Sequence, residues 1–550
     1  MSDITDNAYD VCIIGAGAAG IVTAIELCRS DLAIRVLLLE HGPKDGHAPT
    51  NNPLDNSIQL DNLLNHHPPE ECTNKGIGGT TATWGGRCVL FDEVDFIPRK
   101  IIGDECTWTV KLFEELKSFV SRTQTYFESG VQPFELPDDA KPIAEGFHSD
   151  DVSDRILERW SRPTRFGKQY RETLMSLQNL HVVCGVTADR LEIDEDGKDS
   201  KVLLVKTGEI GREARIQANV FVIACGAQES TRLLFRSPQL FRPLGEFPTA
   251  LGKFYQGHVS GKIASIQFNG DPKKTDFGFH QESDGTYVRR RFQLTKDCIL
   301  RENLLNTALW LDNPLYFDPS HRSGAMSFMY LAMITPVLGR KLAPPAIAYS
   351  ITKGRIHKVG AHLRNVLLGL PKSLVVPANI FLKRYFGSRK LPGVFLYSPK
   401  NEYALHYHAE QLPCESNRIE LAEDGETLQI RYRITDGDAD SIVRTHEILD
   451  KALQDSGSGR LRYWYSKDVL HEKVKEISRD GLHQNGTTRI ADGPDRGVVD
   501  SNLRLFGTKN VYICSSSAFP TSGQANPTFF LGMFAVRLAD HLREVVHEKR

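Results

Sequence analysis

Two residues near the C-terminus carry side chains suited to handling a hydroxyl group. His483 lies in LHQNGTT, just before a Gly-Thr turn, and Asn526 lies in SGQANPT, directly before Pro527 and an apolar run. They are 43 residues apart, with a short apolar strand over 510–514 between them. An alcohol holds its proton until far above neutrality, so its oxidation needs a positioned base. Neutral imidazole, with an ordinary pKa of about 6.5, suits that work. Asn526 has no useful acid–base range, but its amide can hydrogen-bond the same hydroxyl. Pro527 fits the first turn of a helix, with Asn526 at its N-cap. The competing readings are a loop histidine satisfied by backbone and an asparagine that only caps.

Such a pair needs an acceptor for the hydride, and the N-terminus has the pattern of a dinucleotide site. Residues 9–14 (YDVCII) read as a buried strand, and Gly15-Ala16-Gly17-Ala18-Ala19-Gly20 follows at once. A helix is expected over 21–29 and a second buried strand over 34–39, closed by Glu40, 20 residues after Gly20. In this βαβ unit Gly15 permits the tight turn, Gly17 lets the backbone approach a pyrophosphate, and Gly20 lets helix and strand pack closely. The helix start around Ala18 would face the phosphates with free N–H groups, and Glu40 would accept from a ribose. The motif by itself does not separate FAD from NAD.

Residues 75–88 (KGIGGTTATWGGRC) add Gly79, Thr80, Thr83 and Trp84, rich in backbone and hydroxyl donors. They read either as a cofactor-lining loop or as a flexible surface loop. Together with the βαβ unit, the His483 to Thr487 pattern H-x-x-G-T and the run from Ser522 to Thr528, this stretch resembles the glucose-methanol-choline (GMC) oxidoreductases. The closest likeness is to the pyranose-oxidase-like branch. The resemblance implies an α/β fold with a Rossmann-like FAD domain and an inserted antiparallel-sheet substrate domain. It places Val186 near the adenine, Gly226 of FVIACGAQES against the flavin, and Asn526, Pro527 and Thr528 at the flavin's reactive end. It assigns His483 and Asn526 the catalytic roles. In the pyranose-oxidase branch a His just before the Trp bonds covalently to the flavin. Thr83 stands there in this chain, so non-covalent FAD is implied.

With 550 residues, 40% hydrophobic and 25% charged, the chain can bury a large core, and its formal charge of −2 gives no field favouring nucleic acid. Ten cysteines lack zinc-type spacing, so reduced thiols and a cytoplasmic location are expected, with no metal. No leader or spanning segment is evident in the sequence. Residues 1–130, 181–261 and 475–550 are assigned to the FAD domain, and 131–180 and 262–474 to the substrate domain. In ALHYHAEQ, His406, His408 and Glu410 share one strand face, either lining a polyol surface or facing solvent. From Ser320 to Lys400 there is no Asp or Glu but thirteen Lys and Arg, among them Arg340, Lys341, Lys353, Arg355 and Lys390. That basic helical insertion reads as a peripheral membrane contact, a lid over an anionic substrate, or ordinary packed helices. The expected activity is FAD-dependent oxidation of a hydroxyl on a sugar, glycoside or other polyol, with an electron acceptor that the sequence does not specify. The alternatives are a redox-neutral flavoprotein and a non-catalytic membrane-surface binder.

Overall fold

The computed structural model describes residues 9–30, 32–44, 57–162, 164–193, 200–207, 213–313, 316–335, 352, 356–387, 389, 391–393 and 395–549. Arg340, Lys341, Lys353, Arg355 and Lys390 of the basic insertion lie outside these residues.

The N-terminal pattern folds as a parallel sheet. Tyr9–Ile14 pairs with Val36–Glu40 on one side and with the end of Glu213–Ile223 on the other, all in parallel. Leu180–Cys184 closes one edge and Val511–Ile513 lies beyond Ile223. These strands read as unbroken apolar runs because helices cover both faces, and residues 11–14 and 36–39 are all buried. One cover is Ala18–Cys28, which begins three residues earlier than the pattern suggests, since Ala18 and Ala19 are good helix formers. The terminal helix Pro527–Lys549 packs beside it, and Thr23 Oγ1 reaches the Ala535 carbonyl at 3.5 Å. Gly185, at φ +74°, separates the strands Leu180–Cys184 and Val186–Ile193.

A second sheet is antiparallel: Gly459–Tyr463, His258–Phe268, Glu402–Glu410, Thr307–Asp312, Phe292–Leu294 and Val152–Ser153 in that order. The helix Asp436–Asp455 covers it, started by a reciprocal capping box between Thr435 and Asp438. The apolar faces of sheet and helix form a separate core that includes Ile263, Leu405, Ile442 and Leu449. The sheet's long strand starts at His258 and ends at Phe268.

A buried ion pair anchors the segment that follows residue 96 to the antiparallel sheet. Arg99 donates through Nη1 and Nη2 to the two carboxylate oxygens of Glu410, at 2.8 and 2.7 Å, with both side chains at most 1% exposed. The Asn306 N–H also donates to Glu410 at 2.9 Å. Glu410 is therefore neither solvated nor free to line a substrate surface, correcting both readings of that residue.

Candidate functional site

Three glycines in the first turn show three different demands. Gly15 has φ +102°, and a Cβ there would lie 2.5 Å from the Ala224 carbonyl oxygen. A Cβ on Gly20 would lie 2.0 Å from the Gly15 carbonyl oxygen. A Cβ on Gly17 would meet nothing within 4 Å. The first two glycines thus serve the fold, while Gly17 faces open space at the N-terminus of its helix. No side chain caps that helix, and its first closed bond runs from the Ile21 N–H to the Gly17 carbonyl. The amides around Ala18 are left for an outside acceptor, which is what a pyrophosphate supplies. Gly79 presses on the same turn, 3.1 Å from the Gly17 Cα by its would-be Cβ.

Glu40 does more than the ribose contact expected of it. Its carboxylate accepts from the N–H groups of Ala16, Gly42 and Gly76 at 2.8 to 2.9 Å, tying three turns together. A carboxylate offers about four acceptor positions, so one remains for a ligand hydroxyl.

The stretch 75–88 is a fixed element and not a flexible loop. Gly79–Ala82 forms a turn of 3₁₀ helix. Arg165, for which the sequence carries no signal, donates through Nη1 to the Thr81 and Trp84 carbonyls at 2.9 and 2.8 Å. The Trp84 indole donates to the Thr164 carbonyl at 3.0 Å and meets Phe127 edge-on. Thr80 and Thr83 stand exposed on this fixed loop, and the Thr83 hydroxyl accepts from Asn74 Nδ2 at 2.6 Å. Val186 is buried at a strand start, and Gly226, at φ +72° with free space beside it, opens the helix Gly226–Phe235. The residues present fit a dinucleotide: open glycine positions, unclaimed helix-start amides and an acidic strand end converge on the parallel sheet.

His483 and Asn526, far apart in sequence, meet directly. Asn526 Nδ2 donates to His483 Nε2 at 2.8 Å. The imidazole's other nitrogen, Nδ1, lies 3.2 Å from Asp480 Oδ2. Burial alone would raise the Asp480 carboxyl. Electrostatic attraction from the His483 imidazole and hydrogen bonds from His258 and His483 outweigh it and hold the group well below the usual carboxylate range. An ionised carboxylate only accepts, so Nδ1 carries the proton and Nε2 keeps its lone pair. Asn526 does not cap the helix through its side chain: its Oδ1 is buried without a partner. Pro527 is the first helical residue, as expected, and Thr528 the next.

Two further imidazoles crowd this pair. His258 Nδ1 lies 3.3 Å from the same Asp480 oxygen. His408 packs edge-on against His258 at 4.1 Å between ring centres and lies 5.4 Å from His483. The nitrogens of His258, His408 and His483 fall within 4.8 Å of one another. Burial pushes the His258 imidazole down to about 4, and that of His408 well below its usual value, with Arg87 adding to both. Behind them, the Arg87 guanidinium lies 4.2 Å over the Trp310 ring, whose opposite contact is the stacked His406 at 4.4 Å. Arg87 and Arg289 share the buried carboxylate of Glu158. Asp480 has a sequence signal, three residues before His483 in DGLH; His258, Arg87 and Trp310 have none.

Residues 413–535 match the family model described as GMC oxidoreductase. The 6'''-hydroxyparomomycin C oxidase of Streptomyces lividus is 22% identical over 98% of this chain and 92% of its own length. The paromamine 6'-oxidase of Streptomyces fradiae is 21% identical over 97% and 91%. Among solved structures, formate oxidase from Aspergillus oryzae superposes with a TM-score of 0.53 at 14% identity, covering 98% of each chain. Pyridoxine 4-oxidase from Mesorbium loti gives 0.51 at 16% identity, covering 98% of this chain and 99% of that one. These relatives align over nearly the whole chain, and with the C-terminal family match they mark it as an FAD-dependent oxidoreductase similar to the GMC oxidases.

Proposed function

We propose that the enzyme oxidises a hydroxyl of a sugar-like substrate, with His483 as the base and Asn526 as the group that positions the hydroxyl. The observation that carries this reading is the ordered row Asp480–His483–Asn526. Asp480 fixes the tautomer that leaves the lone pair on Nε2. The 2.8 Å separation of Nε2 and Asn526 Nδ2 marks where a substrate oxygen would enter, giving its proton to Nε2 and accepting from the amide. Asn526 Oδ1, unpartnered, is left to accept a neighbouring donor of the substrate. His258, held neutral by burial, crowds the base without competing for a proton at neutral pH. Bound FAD supplies the hydride acceptor.

The sugar class is supported by the two aminoglycoside oxidases to which the chain is similar over nearly its whole length. Non-covalent attachment is supported by Thr83, whose side chain has no nitrogen to bond the cofactor and is engaged by Asn74. The division of the chain into an FAD domain (1–130, 181–261, 475–550) and a substrate domain (131–180, 262–474) is supported by the separate parallel and antiparallel sheets. All ten cysteines are free, which suits a reducing compartment such as the cytoplasm. The test is anaerobic mixing with a panel of neutral sugars, amino sugars and polyols. Bleaching of the flavin by a member of the panel is expected, and acid precipitation should leave the flavin in the supernatant. A panel that leaves the flavin oxidised would remove the sugar reading.

A further inference from the structure

Eighteen large apolar side chains are exposed among the described residues, and eleven of them fall between Ile356 and Tyr397. They belong chiefly to two helices, Val359–Leu368 and Lys372–Phe386, which meet at 92°. No single helix among the described residues is long and apolar enough to cross a membrane. The exposed positions are not scattered. Leu363 and Leu367 are one turn apart on the first helix, with Leu368 beside them, and Leu374, Val375, Leu382 and Phe386 follow the same period on the second. Leu367 is 67% exposed, Leu368 74% and Phe386 76%.

The inner faces show that this arrangement is built. His362 is fully buried, accepting at Nδ1 from Ser327 (3.0 Å), donating from Nε2 to the Phe317 carbonyl (3.1 Å), and stacking on Tyr330 at 4.2 Å. Asn365 donates to the Pro319 carbonyl at 2.8 Å. At Gly324 the helix Gly324–Ile334 approaches so closely that a Cβ would strike Ser373 Oγ at 1.9 Å. Polar and small residues thus lock one side of each helix to the body, and leucines occupy the other. A soluble surface helix has the reverse order.

Charge says what covers this face. All 69 acidic residues of the chain lie outside 320–400, while thirteen of the 67 basic ones lie inside, so the rest of the chain is strongly acidic. Lys358, Arg364, Lys372 and Lys383 are exposed alongside the leucines. We propose that the bent helix pair 359–386 is a docking surface for an anionic membrane: it lies in the interface, with leucines and phenylalanines among the acyl chains and lysines and arginines at the headgroups. An anionic bilayer repels the acidic body and attracts only this hairpin, so the charge distribution selects one docked orientation. Ile380 of the second helix packs on the cluster of Trp160, Tyr287 and Leu391, and the Trp160 ring lies 5.3 Å from the Arg289 guanidinium. The docked face therefore lies one aromatic layer from the wall of the site.

The test is flotation of the full-length holoprotein with phosphatidylcholine vesicles, with and without phosphatidylglycerol. Flotation with the anionic vesicles is expected to exceed that with neutral ones by at least about tenfold and to fall as salt is raised. The variant Leu367→Ser/Leu368→Ser/Leu382→Ser should lose it while keeping its flavin spectrum. Should that variant fold poorly, Arg364→Glu/Lys372→Glu/Lys383→Glu changes only exposed charges and should lose flotation equally. No flotation with anionic vesicles at low salt overturns the proposal, as does flotation unchanged in both variants. A concentration-dependent dimer in sedimentation velocity, abolished by the leucine variant in a protein that ignores vesicles, would overturn it in favour of a second copy of this chain.

Discussion

The glycine turn at residues 15–20 follows the first strand of the parallel sheet, whereas His258 and His408, which cluster with His483, stand on the antiparallel one. In the turn every demand is met by neighbours in sequence. Gly15 needs a positive φ, Gly20 needs room for a carbonyl and Gly17 leaves room for a ligand, all within six residues. In the cluster, no two histidines come from the same element. His258 and His408 sit on adjacent antiparallel strands, where Ser260 is level with His408 and His258 with Glu410. The two imidazoles are thus a diagonal pair, in reach only because of that register. A phosphate cradle is a local backbone shape and leaves a spacing to read. A wall of side chains is a product of pairing and leaves none.

The largest expected effect falls in the cluster. His483→Ala should retain FAD, since the glycine turn is untouched, but slow flavin bleaching by substrate by roughly 10²–10⁴-fold. Rapid mixing followed at about 450 nm, where oxidised flavins in general absorb, would report it. An unchanged rate would place the base elsewhere.

The pair that anchors Arg99 to the antiparallel sheet comes next. Arg99→Met leaves Glu410 buried without a counter-charge, and breaking such a pair costs about 3–5 kcal/mol. Thermal unfolding of the variant should show a markedly lower midpoint. Replacing both partners, as Arg99→Met/Glu410→Leu, should recover most of the loss. If the single and double variants are equally unstable, the unpaired charge of Glu410 is not the source of the loss.

Asp480→Asn tests the link between the cluster and the base. The carboxylate acts through the imidazole, so a fall of about 10²-fold in the bleaching rate is expected, the lower end for acid–base catalysis. The pH profile should also shift, because the carboxylate charge beside the imidazole is gone. A lower rate with an unmoved profile would make Asp480 a purely structural residue. On the opposite side, Gly17→Ala separates fold from ligand. Its Cβ has free space, so the apoprotein should unfold at the wild-type temperature, yet FAD affinity should drop by about tenfold, near 1.4 kcal/mol. Gly20→Ala, which strikes a carbonyl, should lower both.

How much can be read from the chain follows the same division. The dinucleotide strands, the Gly17 opening and the His483–Asn526 pairing are legible, because spacing and residue type carry them. The tie of Glu40 to three backbone amides is hidden, since Gly76 lies 36 residues away. The alternating face of His406, His408 and Glu410 is legible, but its environment is not. His406 stacks on Trp310, His408 joins the catalytic cluster and Glu410 pairs with Arg99; period 2 reports a face and not what covers it. The sequence pattern makes Asn526 a helix cap, yet its Nδ2 goes to His483 and its Oδ1, the atom a cap would use, has no partner.

The smallest effect concerns acid. Burial lowers His258 and His446 to about 4 and His406 to about 3, all three on the antiparallel sheet or its covering helix. A base lowered in the folded state is protonated first in the unfolded chain. Between about pH 4 and 6.5 the unfolded form therefore binds more protons, and stability rises with pH. Asp438, raised to about 6 by burial, works in the opposite direction between about 4 and 6, as does the raised Asp95, while the lowered His408 adds to the imidazoles. The substrate-side sheet should thus be the part of the molecule that acid loosens first. His446 isolates the effect, since its Nδ1 donates to the Ile442 carbonyl at 2.7 Å and it lies away from the catalytic cluster. His446→Leu should make the dependence of unfolding free energy on pH shallower by up to about 1.4 kcal/mol per pH unit in that window. Urea titrations at pH 5 and pH 7 measure it: if the variant loses as much stability on acidification as the wild type, the proton uptake that destabilises this half has another seat.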